Sequence, residues 1–202
     1  MKIAQVAPLM ESVPPRYYGG IERIASYVTE ALVAQGHDVT LFASGDSVTS
    51  AALVPCCSKA LRLNGAVRDW IPYHMVMLDK VRRRAHEFDV IHFHVDVLHF
   101  PLFRDIAHRT LTTLHGRQDL PDHVPFYAEF PEMPLAVRAR ASVGPSCNGC
   151  LLCVPACADG GFQAIAGVRG KIVTIDGAKC DGCGLCVIVC PIGSITMVPR
   201  QR

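Results

Sequence analysis

Residues 130–153 read FPEMPLAVRARASVGPSCNGCLLC, and the two ends of this stretch belong to different chemistries. The left end closes a segment in which short apolar strands alternate with helices. The right end opens a run of cysteines spaced three residues apart. The 202-residue chain has ten cysteines: Cys56 and Cys57 stand together in the first part, and the other eight fall between Cys147 and Cys190. Between the two parts, AVRARASVGPS has linker composition and no clear periodicity. The expected organisation is an incomplete Rossmann-like domain over residues 1–136, a linker over 137–144 and a small cysteine-rich domain over 145–202.

To the right of the seam, Cys147, Cys150, Cys153 and Cys157 form C-x2-C-x2-C-x3-C, and Cys180, Cys183, Cys186 and Cys190 repeat it, with Pro191 after the last. Three thiolates at successive three-residue steps can wrap one face of an iron–sulfur cubane. The fourth lies too far along the emerging helix to close the same cluster, and in two-cluster ferredoxins it ligates the other one. The expected ligand sets are therefore Cys147, Cys150, Cys153 and Cys190 for cluster one, and Cys180, Cys183, Cys186 and Cys157 for cluster two. Zinc sites typically use two separated C-x2-C pairs and have no need of a third cysteine three residues on, so two [4Fe-4S] clusters are the expected cofactors.

The two halves of this region form an internal repeat: CNGCLLCVPAC matches CDGCGLCVIVC, and FQAI corresponds to IGSI. Gly149, Gly182 and Gly184 suit loops that curl closely round a cluster, and Val154, Val187, Ile188 and Val189 are expected to wall it off from water. CNGCLLCVPACADGGFQAI followed by CDGCGLCVIVCPIGSITMVPR is similar to the C-terminal two-cluster ferredoxin domain of dihydropyrimidine dehydrogenases. That resemblance implies an α+β fold of the bacterial 2[4Fe-4S] ferredoxin type, electron relay and a flavoprotein or other redox partner. Pro155 inside the first motif departs from the pattern and could alter the turn into Cys157.

To the left of the seam, KIAQVAP reads as a buried strand, and Gly19–Gly20 give a tight turn. Ile21, Ile24, Val28, Leu32 and Val33 then recur at helical spacing, Gly36 ends the helix, and DVTLFA is a second strand. FDVIHFHVD and TLTTLHG read as two more strands with PLFRDIAHR as a helix between them. Such alternation implies an α/β doubly wound parallel sheet with right-handed crossovers. A Gly-Gly turn between a strand end and a helix start lets backbone N–H groups approach a phosphate, although such a turn is often only a turn.

PPRYYGGIERIASYVTEALVAQGHDVTLFASGDS, with FDVIHFHVD, TLHG and FPEMPL, resembles the N-terminal domain of family 4 retaining glycosyltransferases of the GT-B fold, over residues 1–135. The resemblance implies that Gly19 and Gly20 lie beside a nucleotide-sugar diphosphate and that His115 faces the donor sugar. Glu22 stands at the helix start, where it could serve only as a cap. The similarity stops at FPEMPL, short of the second Rossmann-like domain that holds most of the donor in that family, so tight nucleotide-sugar binding and unaided glycosyl transfer are not expected. His92, His94 and His99 invite a metal reading, since His92 and His94 would share one strand face with Asp96 beyond them. They are read as residues lining the cleft, since no further ligand pattern surrounds them. Cys56 and Cys57 are read as inert buried thiols.

The formal charge of +2 and the single basic cluster, Arg82–Arg84, offer no nucleic-acid face, and that cluster suits the solvated side of a helix. No apolar run approaches the roughly 20 residues of a membrane span. The N-terminus alternates and soon meets Glu11, as a first strand rather than a signal peptide does, so a cytoplasmic chain is expected, in which clustered cysteines bind metal. The expected function is an iron–sulfur electron-transfer protein. The alternatives are a glycosyltransferase completed by a partner-supplied domain, or a chimeric reading frame without joint function.

Overall fold

The computed structural model describes residues 1–62, 64–116, 120–136, 139–159, 163–180, 182 and 185–199. It divides into two compact units, residues 1–136 and 137–202.

In the first unit, strand β1 (Lys2–Val6) leads through a loop to helix α1 (Gly20–Ala34) and strand β2 (Asp38–Ser44). Strand β1 is buried from Ile3 onward and β2 from Val39 onward, as strands of a sheet covered on both faces are, although Gln5, Thr40 and Ser44 interrupt their apolar residues. Gly36, at φ +83°, takes the left-handed turn that ends the helix. The helix is where its periodicity places it, but its face is not. Ile21, Ile24, Val28, Leu32 and Val33 are half-buried, while Glu22, Ala25, Ser26 and Thr29 are buried. Small side chains let the helix approach the sheet closely: Ala25 packs with Ala7, Val13, Leu41 and Ala43. The bulkier aliphatic residues flank that contact line.

Strand β3 (Ala52–Cys57), helix α2 (Ile71–Arg83) apart from its basic end, and a helix over His123–Glu129 lie outside the sequence expectation. Strand β3 contains Pro55, which has no N–H to give a ladder, and it sits at the sheet edge where that loss is tolerated. Helix α2 buries His74, Met77, Leu78 and Val81. Its basic end is solvated and ion-paired: Arg82 to Asp105 at 2.6 Å, Arg83 to Asp79 at 2.8 Å and Arg84 to Glu87 at 2.7 Å. Strand β4 (Val90–Phe93), the short helix α3 (Phe100–Phe103) with a 3-10 turn over Arg104–Arg109, strand β5 (Thr110–Thr112) and helix α4 (His123–Glu129) complete the unit. The five strands are all parallel in the order β3-β2-β1-β4-β5, the doubly wound arrangement expected.

The second unit begins earlier than its cysteines do. Residues 139–143, within the stretch expected as a linker, form strand β6 (Ala139–Val143), which pairs antiparallel with the final strand β9 (Ile195–Pro199). A strand before the first cysteine motif is needed because β9, after the second motif, would otherwise leave its ladder unpaired. Between them run helix α5 (Cys153–Asp159), the two-residue strands β7 (Ile165–Ala166) and β8 (Thr174–Ile175), which pair with each other, and helix α6 (Leu185–Ile188). The pairing follows the sequence repeat. The strand before each motif joins the strand after the other motif, as a pseudo-two-fold requires. Pro155 occupies the first turn of α5, where its missing N–H has no helical partner to lose, so it leaves the helix intact.

The core of the first unit rests on Phe93, fully buried, stacked on His99 at 3.7 Å and edge-on to Phe103 at 4.7 Å. Phe93→Ala is expected to cost about 3–5 kcal/mol in urea unfolding, whereas Leu102→Ala on the exposed side of α3 should cost under about 1 kcal/mol.

Candidate functional site

The cysteine motifs begin in loops whose curvature demands glycine. Gly149 lies at φ +67°, and a Cβ there would come within 2.4 Å of the Lys171 carbonyl oxygen and 2.5 Å of its nitrogen. No rotamer change relieves a clash with backbone, so the residue just before Cys150 can only be glycine. Gly182, at φ +80°, takes the same hand in the second motif. Gly184 lies outside the described residues.

The first loop and the end of the second motif enclose one recess. It is lined by Cys147, Cys150, Cys153 and Cys190, with Leu151 and Ile195 among its apolar neighbours. Three thiols from one motif thus meet the fourth thiol of the other. Burial pushes the Cys153 thiol up, and the nearness of Cys147, Cys150 and Cys190 adds to this, as thiols that would share one cationic group do. At Cys190 burial works against the thiolate, but backbone N–H groups of Ile192, Ser194, Ile195 and Gly193 outweigh it and hold the thiol below its usual range. Among the described residues, no three His, Cys, Asp or Glu side chains form a site for a single metal ion. The four thiols stand around a space instead, and soft sulfur donors so arranged fit an iron–sulfur cluster.

The second set shows the same construction in part. Cys157, Cys180 and Cys186 are all buried in the core of this unit, and Cys183 lies outside the described residues. The Ala164 N–H donates to Cys157 Sγ at 3.2 Å, and the Ser194 N–H donates to Cys190 Sγ at 3.2 Å. Ala164 and Ser194 occupy matching places in FQAI and IGSI, so the repeat holds its two fourth cysteines alike despite three extra residues in the first copy. The Ala141 N–H on β6 donates to Cys180 Sγ at 3.3 Å. These N–H···S donors carry no side-chain signal and were not legible beforehand. Of the expected apolar wall, Val154, Val187 and Val189 pack into the core, while Ile188 is 67% exposed and walls off nothing.

In the first unit, the parallel strands all deliver their following loops to one edge of the sheet, and the winding reverses between β1 and β4. Gly19 and Gly20 follow β1 and His115 follows β5, so the three expected contacts share that edge. They differ in constraint. A Cβ on Gly19 would strike Pro15 at 2.6 Å, whereas a Cβ on Gly20, the first residue of α1, would meet open space. Glu22 is a buried residue rather than a helix cap of the usual kind: its Oε1 accepts from the Glu11 N–H at 3.3 Å, and burial raises its carboxyl. The Asp96 carboxylate accepts from the N–H groups of His115 at 2.6 Å and Gly116 at 3.2 Å, tying the β4 and β5 loops together.

The histidines of IHFHVDVLHF are buried, and burial pushes His92 down to about 4, His99 to about 3 and His94 well below the ordinary range. They are neutral structural groups. His99 meets Thr112 Oγ1 at 2.9 Å, and His92 meets Thr113 Oγ1 at 2.8 Å. Cys56 is buried and its thiol is pushed up by burial to about 11, and the half-buried Cys57 is raised for the same reason, so both are inert at neutral pH.

Comparison with known families locates both halves. Glycosyltransferase Family 4 matches residues 18–155 and the 4Fe-4S dicluster domain matches residues 141–197, with 141–155 falling under both. The crystal structure of AviGT4, a glycosyltransferase involved in avilamycin A biosynthesis, is similar at 21% identity and a TM-score of 0.37. The similarity covers 57% of this chain and 32% of that one, so this chain spans about a third of that protein's length. No curated protein matches.

Gly149→Ala is expected to block the first loop, lowering the iron bound by the purified chain by at least half. Gly170→Ala, also at positive φ but facing open space, should cost only the strain of a left-handed alanine, about 1–2 kcal/mol, and leave iron content unchanged.

Proposed function

The chain belongs to glycosyltransferase family 4 and carries a 4Fe-4S dicluster domain, and from that premise we propose that its chemical work is electron transfer through two [4Fe-4S] clusters. One observation carries this reading: Cys190 joins Cys147, Cys150 and Cys153 around a single recess. Cys147, Cys150, Cys153 and Cys190 would hold cluster one, and Cys180, Cys183, Cys186 and Cys157 would hold cluster two. When bound, such clusters supply one-electron chemistry without acid–base steps. The chain's own groups present thiolates and direct the N–H groups of Ser194, Ala164 and Ala141 at three of the sulfurs, which stabilises negative charge there. Leu151, Val173 and Ile195 keep water from the recess. A redox partner, a flavoprotein by preference, would accept or deliver the electrons.

A second reading rests on the open space at Gly20 and on the common edge it shares with His115. The first unit offers part of a nucleotide-sugar site, and glycosyl transfer would need a second nucleotide-binding domain. Backbone at a helix start and one imidazole hold a diphosphate sugar weakly.

Anaerobic reconstitution should bring about eight irons and eight sulfides per chain, with the electron paramagnetic resonance of two interacting reduced clusters after dithionite. Cys190→Ala should abolish that interaction and leave about half the iron. Zinc alone, or no metal, would overturn the assignment. Calorimetry with a nucleoside diphosphate sugar should detect no micromolar binding by the chain alone; tight binding would favour the second reading.

A further inference from the structure

Beneath the sheet edge of the first unit runs a continuous hydrogen-bonded chain that leads to His115, and what His115 binds rests on the second reading above. Gln5 on β1 is fully buried, and both ends of its amide meet histidines of the neighbouring strand and the loop after it. Its Oε1 lies 3.0 Å from His94 Nε2, and its Nε2 lies 3.3 Å from His92 Nδ1. From His94 the chain continues through Nδ1 to His115 Nε2 at 3.0 Å, and from His92 through Nε2 to Thr113 Oγ1 at 2.8 Å. His92 and His94 face each other at 4.2 Å between ring centroids, and His94 lies over His115 at 5.3 Å with the rings 29° apart. Thr113, His92, Gln5, His94 and His115 thus span β1, β4 and the loop after β5.

Such a chain has few degrees of freedom. A neutral imidazole has one N–H donor and one lone-pair acceptor, so a histidine bonded through both nitrogens passes the polarity of one bond on to the next. The only member whose two ends differ by nature is the amide. Its oxygen can only accept, so His94 Nε2 carries the proton and His94 Nδ1 is the acceptor. His115 must then donate through Nε2. On the other side the amide N–H donates to His92 Nδ1, so His92 Nε2 carries the proton and donates to the Thr113 hydroxyl. Turning the amide over would reverse every bond at once.

We propose that Gln5 is a positioning residue for His115: through the buried His94 it places the His115 proton on Nε2 and leaves Nδ1 as the acceptor. A group that His115 binds through Nδ1 must then be a donor, such as a hydroxyl. The device also explains why a glutamine is buried in the central strand of a parallel sheet, where an apolar residue would pack at less desolvation cost. Low histidine pKa values fit it, because a protonated imidazole would donate from both nitrogens and break the order. The inference does not depend on the cysteine sites.

The test is long-range proton–nitrogen correlation NMR on the full chain labelled with nitrogen-15 histidine, which distinguishes protonated from unprotonated ring nitrogens. In the wild type, His92, His94 and His115 should each show a protonated Nε2 and an unprotonated Nδ1. In Gln5→Glu the carboxylate can only accept, so His92 should move its proton to Nδ1 while His94 and His115 stay as they are. In Gln5→Leu the chain is cut, and His94 and His115 should both lose the single Nε2-protonated form. A wild-type His94 protonated on Nδ1 would overturn the proposal, as would a His92 unmoved in Gln5→Glu, or a His115 unmoved in Gln5→Leu while His94 changes. Should Gln5→Leu fail to fold, the wild type and Gln5→Glu decide it.

Discussion

The fourth cysteine of each motif lies beyond the start of a helix, Cys157 within α5 and Cys190 just past the end of α6, and from there it cannot return to the loop that carries its first three partners. In the first motif Cys153 opens α5 and Cys157 lies one turn further on. A group held by Cys147, Cys150 and Cys153 must therefore take its fourth sulfur from elsewhere, and Cys190 is the one that reaches the recess. Cys190 at that recess places the end of the second motif beside the first loop, and the rest of the second unit is built to match. The strand before each motif pairs with the strand after the other, β6 with β9 and β7 with β8. Backbone N–H groups of the linking segments then fall on the sulfurs.

The first unit obeys a different constraint, the parallel sheet. Parallel strands send all their exits to one edge, so a glycine turn after β1 and a histidine after β5 come to the same edge although 95 positions separate Gly20 from His115. Close helix–sheet approach explains the composition of α1, whose buried line is Glu22, Ala25, Ser26 and Thr29. It also explains why polar groups are tolerated in the interior: Gln5, His92 and His94 satisfy one another rather than reaching solvent. The two units thus use backbone and side-chain hydrogen bonds in opposite ways. The second aims backbone donors at sulfur, and the first links side chains into a neutral chain.

Much of this was legible in the residues. The cysteine spacing pointed to thiols of both motifs meeting at one recess, the alternation of strands and helices pointed to a doubly wound sheet, and FQAI against IGSI pointed to a repeat that the matching bonds from Ala164 and Ser194 reproduce. Strand β3 was hidden by Pro55 and by its half-exposed edge position, which blur the alternation a buried strand shows. Strand β6 was hidden because ARASV has small and charged residues whose role depends on a partner strand more than fifty positions away.

By itself the sequence determined the kinds of chemistry present: eight cysteines at fixed short steps, a glycine turn at a helix start, and periodicities that exclude other fold classes. Short-range spacing encodes these, because three residues of loop or helix have a definite reach. Only the tertiary structure decided which face of α1 is inside, that Gly149 has no room for a side chain, and that Gln5 joins His92 and His94. Each of these depends on backbone approaches between segments far apart in the chain, and packing settles such approaches without leaving a local mark on the residues involved.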